Sequence, residues 1–233
     1  MISVPLWLTQ AHQCSYLIDQ EAQSAVVAAD FEINTAIYSQ LIEQGFRRSG
    51  NQVYKPYCAN CQACVPTRIA VKEFQPNRSQ TRCWQRNQQL KIQIKPAQFD
   101  SRHYQLYQTY QYARHTSDCE KVISEQDYIQ FLSSSWCKTW FVEFSNNDQL
   151  AAVAIIDVLD NALSAVYTFF DPAFANSSLG VFAVLWQIKQ AEQLNLDYVY
   201  LGFWIQNCRK MQYKIQYQPL QGLINNNWQT IIA

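Results

Sequence analysis

Glycine, proline and charge are all scarce in this sequence. Five glycines and seven prolines in 233 residues exclude collagen-like, low-complexity and long disordered architectures. Charged residues make up only 15 %, with 18 bases against 18 acids, so the chain as a whole is neither a polybasic nor an acidic polyelectrolyte. No apolar run approaches the roughly 20 residues that a membrane-spanning helix needs. Residues 1–10 lack the basic start, apolar centre and small-residue cleavage site of a secretory signal. These absences predict a cytoplasmic protein with no membrane association. In that setting the eight cysteines point to reduced thiols or metal ligands rather than to a disulfide framework. What is abundant is apolar surface: at 48 % of residues it can fill one large core or two small ones.

One stretch lacks acids almost completely. Between residues 45 and 95, ten bases (Arg47, Arg48, Lys55, Arg68, Lys72, Arg78, Arg82, Arg86, Lys91, Lys95) are accompanied by Glu73 alone, a net +9, which leaves −9 on the remainder. A basic run is most often a solvated face, but a neutral protein with one such block also suits a polyanionic or acidic partner. The same block holds Cys58, Cys61 and Cys64 at C-x-x-C-x-x-C spacing. A tight loop or one helical turn would bring three such thiolates to one metal, and a closed structural site needs a fourth ligand from elsewhere. The alternative is three reduced, half-buried thiols packed as small apolar groups.

Hydrophobic periodicity orders the rest. A helix is expected over 34–44, capped by Asn34, with Ile37, Leu41 and Ile42 on one face and Gly45 as its stop. Short strands are expected at 24–29, 52–54 and 68–74, and a helix capped by Asn77 runs to 90. A tyrosine-rich helix over 101–114 places Tyr104, Tyr107 and Tyr110 at spacings that suit core packing better than base stacking. A capped helix follows from 124 to about 134. Next come an antiparallel meander (140–144, 150–159, 162–169), a long apolar helix (179–193), a strand (198–201), a helix (206–215) and two closing strands (220–224, 228–232). A boundary near 96–100 would divide a cysteine-containing basic domain, 1–96, from a larger domain, 97–233.

Several motifs, taken in order, resemble the aminoacyl-tRNA–protein transferases. They are FRRSG at 46–50, YKP at 54–56, CVPTRI at 64–69, PNRSQ at 76–80, YTFFDP at 167–172, SLG at 178–180, YLGFWI at 200–205 and CRKMQYK at 208–214. The triply spaced cysteines are similar to those of the aspartate/glutamate leucyltransferase branch, not to the adjacent cysteines of the arginyl branch. The resemblance covers most of the chain. It implies an α/β (α+β) protein with a GNAT-like acyltransferase fold in the C-terminal part and a smaller cysteine-containing N-terminal domain. It also implies a reaction: transfer of leucine from leucyl-tRNA to the α-amino group of proteins that begin with Asp or Glu, which creates a destabilising N-terminus. The partners are then leucyl-tRNA and such proteins, with no role for DNA or membrane. In GNAT enzymes an acyl-CoA pyrophosphate sits on a glycine-rich turn before the central helix. Here that turn reads NSSLG at 176–180, with one glycine and no base, which argues against acetyl-CoA. Three alternatives stay open: an arginyl donor, a GNAT-fold acyl-CoA N-acyltransferase, and a non-enzymatic RNA-binding zinc module that would have little use for the large apolar C-terminal half.

The implied chemistry needs no cofactor. An α-amine with a pKa near roughly 8 is partly neutral at pH 7, and the ester of a charged tRNA is already activated. Holding the two in attack geometry can supply on the order of 7 kcal/mol. Asp171 and Tyr167, near the end of the meander, are the candidate catalytic groups. Tyr167, Phe169, Leu201 and Trp204 are candidate walls of a leucine pocket. Arg47, Arg48, Arg68 and Arg78 are candidates for reading the acceptor's acidic side chain, since guanidinium matches carboxylate bidentately. Arg82 and Arg86 follow Arg78 at four-residue intervals on one helix face, and with Arg209, Lys210 and Lys214 they are candidates for tRNA phosphates. Cys14, in a Cys-x-Tyr context similar to the family's, is the candidate fourth ligand beside Cys58, Cys61 and Cys64, for a structural or regulatory metal or iron–sulfur cluster.

Overall fold

The computed structural model describes residues 3–114 and 123–232; the eighth cysteine, Cys119, lies outside the described residues. Short apolar runs separated by polar turns build the N-terminal part. β1 (Leu6–Leu8), β2 (His12–Gln13), β3 (Glu21–Ala22) and β4 (Ser24–Val27) precede α1 (Thr35–Glu43), and β5 (Arg47–Ser49) and β6 (Gln52–Pro56) follow it. Four of these strands form an antiparallel sheet in the order β1-β4-β6-β5, and β2 pairs with β3. α1 starts where Asn34 Oδ1 accepts from the Ile37 amide at 2.9 Å. It ends where Gly45 adopts φ +87, a left-handed conformation that glycine enters without steric cost. Tyr38, Leu41 and Ile42 turn inward to meet Phe46 and Val53.

The chain then enters a larger sheet. In sequence order come β7 (Val65–Ala70), α2 (Arg78–Arg86), β8 (Lys91–Pro96), α3 (Ser101–Arg114), α4 (Glu125–Leu132), β9 (Thr139–Asn146), β10 (Gln149–Val158), β11 (Ala162–Phe170), α5 (Leu179–Gln193), β12 (Tyr198–Trp204), α6 (Arg209–Gln212), β13 (Leu220–Ile224) and β14 (Asn227–Ile231). Eight strands pair as β14-β13-β7-β12-β11-β10-β9-β8. β8 ends at the expected 96 boundary, and β7 and β8 share this sheet with β9–β14. The result is a mixed α/β fold of acyltransferase type, with the expected meander, crossover helix and return strand.

β10 reads almost entirely apolar because both faces of the sheet are covered. Its even residues Ala152, Ala154 and Ile156 pack with Phe182 and Leu185 of α5. Its odd residues Val153 and Ile155 pack with Tyr107 of α3 and Tyr128 of α4. The N-terminal sheet and α1 cover the same face as α3 farther along, where Val27, Tyr38 and Phe46 meet Leu159, Ala162 and Tyr200.

Three local expectations are corrected. The strand expected at 68–74 runs from Val65 to Ala70 and then tightens into a 3-10 turn over Val71–Glu73. The helix expected to reach 90 stops at Arg86, with Asn87 as its cap. The helix expected over 206–215 is a short α6 followed by a 3-10 turn over Tyr213–Gln216.

Candidate active site

The site is made by a parting of strands. β11 and β12 run parallel but pair at only three positions, Ala162↔Tyr198, Leu163↔Val199 and Ser164↔Tyr200. Beyond these the strands separate. β12 keeps its antiparallel pairing to β7, with an irregularity between Tyr200 and Gly202, while β11 follows β10, with one between Ile155 and Ile156. Backbone groups on the inner edges of the resulting fork need other partners.

Two basic side chains supply them. Arg47, at the start of β5, donates from Nη2 to Ala165 O at 2.5 Å and from Nη1 to Ser164 Oγ at 3.2 Å. On the other arm, Lys214 Nζ donates to Phe203 O at 2.7 Å. Gly202 lies alongside at φ +81, a conformation glycine enters without steric cost, and a Cβ there would sit in ordinary contact with the Arg47 guanidinium, at 3.4 Å. Arg47 is 9 % and Lys214 4 % exposed, and neither has a carboxylate within ion-pair distance among the described residues. Buried charges are normally paired, so the fork is an electropositive site that an anion would stabilise. Desolvation and then the Arg47 charge hold the Lys214 ammonium down, to a pKa of about 7.

Tyr167 stands on the β11 arm, half-buried against Tyr110 and Phe131. Burial pushes its hydroxyl well above the ordinary tyrosine range, so it is held protonated and serves as a donor. On the β12 arm, Phe203 packs against Tyr54 of β6, ring centroids 6.4 Å apart. These two rings also line a cleft of 660 Å³ between the N-terminal strands and the end of the large sheet. The far wall of that cleft holds Cys14, from the β2–β3 connection, and Cys58, Cys61 and Cys64, from the β6–β7 connection. All four thiols are half-buried. The Cys64 thiol is raised to about 12 by burial and then by Cys58, Cys14, Cys61 and Cys208. A bound cation would favour the Cys64 thiolate, and four cysteines are a donor set that suits zinc or an iron–sulfur cluster, but no three of their Sγ atoms lie mutually within 4.8 Å, so the thiols share one wall without being drawn together as ligands. Among the described residues, the one trio of His, Cys, Asp or Glu ligand atoms lying mutually within 4.8 Å is Asp100, His103 and Glu143. There the Arg102 guanidinium already binds Asp100 and Glu143 at 2.7 and 2.9 Å.

Other expected site residues lie elsewhere. Arg48 is a strut and not an acceptor ligand. Its Nε and Nη2 both bind Asp157 at 2.6 Å, and its remaining donors reach Gly50 O, Ser133 O, Leu132 O and Thr139 Oγ1. Both side chains of the ion pair are fully buried. Arg68 packs between aromatic rings, 3.6 Å from the Tyr198 centroid and 4.3 Å from that of Trp228, with Nε on Gln221 Oε1 at 2.8 Å. Asp171 is a turn cap: it accepts from the Ala173 amide at 2.9 Å and from Gln149 Nε2 at 3.3 Å. Phe169 and Leu201 are core residues, and Trp204 is half-buried with an unpartnered, buried Nε1. Lys214 is enclosed in the fork and cannot reach a phosphate as a surface cation. Arg78, Arg82, Arg209 and Lys210 are exposed. Arg86 binds Asn176 O, while Asn87 Nδ2 reaches Ser177 O at 2.8 Å, so α2 clamps the loop that leads into α5. Ser164 and Gly202 escaped sequence reasoning. A lone glycine within an aromatic strand pattern was the available signal of close backbone approach.

Comparison with known proteins gives the family. Residues 12–82 match the family described as "Arginine-tRNA-protein transferase, N terminus", and residues 102–224 match "Arginine-tRNA-protein transferase, C terminus". The chain is 47 % identical over 230 residues to the aspartate/glutamate leucyltransferase of Thiobacillus denitrificans, covering 99 % of this chain and 96 % of that protein. It is 44 % identical over 229 residues to that of Chromobacterium violaceum (98 % and 95 % covered) and 45 % identical over 232 residues to that of Teredinibacter turnerae (99 % and 96 % covered). The chain therefore belongs to the aminoacyl-tRNA–protein transferase family, in its aspartate/glutamate leucyltransferase branch, and is an aminoacyltransferase.

Proposed function

We infer that this protein transfers leucine from leucyl-tRNA to the α-amino group of proteins whose N-terminal residue is Asp or Glu. The observation that carries this is identity of 44–47 % along almost the whole chain to aspartate/glutamate leucyltransferases. The product would bear a destabilising N-terminal leucine, which places the enzyme in N-end-rule degradation. A cytoplasmic location follows from the need for charged tRNA.

The fork explains how an acidic acceptor could be chosen. Arg47 spends two hydrogen bonds on Ser164 and Ala165, leaving the rest of its guanidinium for a carboxylate. An Asp or Glu side chain there would satisfy the buried cation, whereas a lysine at that position would add like charge to Arg47. The donor ester would lie along the β11 arm, where the Tyr167 hydroxyl is a donor for developing charge on the carbonyl oxygen. Exposed Arg78, Arg82, Arg209 and Lys210 would contact tRNA phosphates. Acyl-CoA transfer is not favoured, because the loop before α5 has one glycine and is clamped by α2.

Cys14, Cys58, Cys61 and Cys64 would hold a metal or an iron–sulfur cluster. When bound, it would tie the β2–β3 and β6–β7 connections together and fix one wall of the cleft, leaving the transfer itself to the fork. Replacing Cys61 with Ser should lower the bound metal content and the thermal midpoint together. Unchanged values for both would remove the cysteine proposal. Leucyl transfer is tested with labelled leucyl-tRNA and peptides that differ only in their first residue.

A further inference from the structure

Lys214 has a geometry that acceptor binding alone does not use. Its Nζ lies just past the last β11–β12 pair and donates to Phe203 O at 2.7 Å and to Met211 Sδ at 3.0 Å. An ammonium carries three N–H donors and no acceptor. Two acceptors satisfy a neutral amine and leave its lone pair free. The third hydrogen of an ammonium would be buried with no partner among the described residues, which is costly. Charged and titratable neighbours act in both directions. Burial and the Arg47 guanidinium favour the neutral amine, while Cys208 and Cys64 favour the ammonium. The Tyr213 ring, 5.0 Å away at its centroid, also favours the ammonium. The balance falls at about 7. Arg47, the other cation of the fork, cannot release its proton in this range.

We propose that Lys214 is the catalytic base of the transfer: its Nζ accepts a proton from the α-ammonium of an acceptor whose acidic side chain lies on Arg47. The proposal rests on the leucyl-transfer reading above. The proton passes from the α-ammonium to Nζ, giving a neutral α-amine and a Lys214 ammonium. The amine lone pair forms the new N–C bond to the leucyl carbonyl carbon as the ester C–O bond to the terminal ribose breaks. The nitrogen loses one further proton as the amide forms, and that proton leaves on the ribose oxygen. The proton held by Lys214 returns to solvent and restores the base. A chain that arrives with its amine protonated is thus activated at the same fork that recognises its first side chain.

Steady-state transfer from leucyl-tRNA to a peptide beginning with Asp, between pH 6 and 9.5, tests this. For the wild type, kcat should fall on the acid side with an apparent pKa near 7. Lys214→Met and Lys214→Arg should each lower kcat on the order of 100-fold at pH 7, with KM for leucyl-tRNA little changed. In both, the acid limb should move to the peptide's own amine, near roughly 8. Arginine keeps the charge and removes the base, so Lys214→Arg with a third or more of wild-type kcat and an unmoved acid limb would overturn the proposal. So would a defect confined to KM for tRNA. Lysine labelled with carbon-13 at the ε position, followed by NMR in the wild-type protein, needs no variant to fold. A lysine titrating near 7 is expected, and no lysine titrating below 9 would also overturn it. Wild-type turnover separates the two layers: no leucyl transfer by the wild type overturns the functional reading, whereas transfer with an intact Lys214→Arg enzyme overturns only the base.

Discussion

Arg47 and Arg48 are adjacent in sequence and do unlike things. Arg48 completes a buried, fully hydrogen-bonded pair with Asp157, so removing one partner leaves an uncompensated charge. Asp157→Asn or Arg48→Met should cost about 3–5 kcal/mol in denaturant unfolding, and replacing both by apolar residues should cost less than either. Arg47→Ala leaves Ala165 O and Ser164 Oγ without their donor, so it should cost about 1–3 kcal/mol in denaturant unfolding, and it should also raise KM for Asp- and Glu-initiated peptides by roughly tenfold or more. The KM for leucyl-tRNA should stay put. The divergence was illegible in the FRRSG motif. It is set by which face of β5 each side chain takes and by Asp157, which lies 109 positions away. Lys214 carries a pH signature of its own. Between about pH 7 and the ordinary value of 10.5, the unfolded chain binds a proton that the folded Lys214 does not, so its contribution to stability improves as pH rises through that window. The unfolding midpoint of Lys214→Met relative to the parent should therefore be highest below pH 7 and decline towards pH 10.

Elements whose pattern answered to one dominant force were readable. α1 has its cap and its glycine stop, α5 is apolar nearly all round because the sheet and α2 both cover it, and the β9–β11 strands are apolar runs between clear turns. β8 was not foreseen. It is an edge strand whose KIQIKP pattern leaves four of six residues exposed, so little burial marks it. β1 is a three-residue strand whose partner β4 comes three elements later, and β5 is the three-residue arm of a tight hairpin with β6, too short for a period-2 pattern to show. The fork was equally hidden, since nothing in the composition of β11 or β12 announces that pairing stops after three positions. At this scale two substitutions are informative. Asn77→Ala breaks the capping box with Gln80 and should cost about 1 kcal/mol in thermal or denaturant unfolding. Gly202→Ala places a Cβ against the Arg47 guanidinium at φ +81. That contact, at 3.4 Å, is an ordinary one, so the cost is backbone strain at a positive φ, and the substitution should lower stability by about 1–2 kcal/mol in denaturant unfolding.

Across the whole molecule, the charge asymmetry of the sequence has divided into two roles. Arg47 and Arg48 fold inward, one to the fork and one to the frame, while Arg78 and Arg82 remain on the surface with Arg209 and Lys210. The surface set should give leucyl-tRNA affinity a steep salt dependence, and each phosphate contact removed should reduce the slope of log K against log salt by about 0.7–0.9. A large sheet that draws strands from both sides of residue 96 couples the cysteine-lined cleft to the fork through Tyr54 and Phe203. The reaction these parts would serve is leucyl transfer. The most direct measurement is the appearance of labelled leucine or arginine, each supplied on its tRNA, on peptides that begin with Asp, Glu, Lys or Ala. Leucine on the Asp and Glu peptides alone is the predicted result. Arginine in its place, or leucine on all four peptides alike, would contradict it.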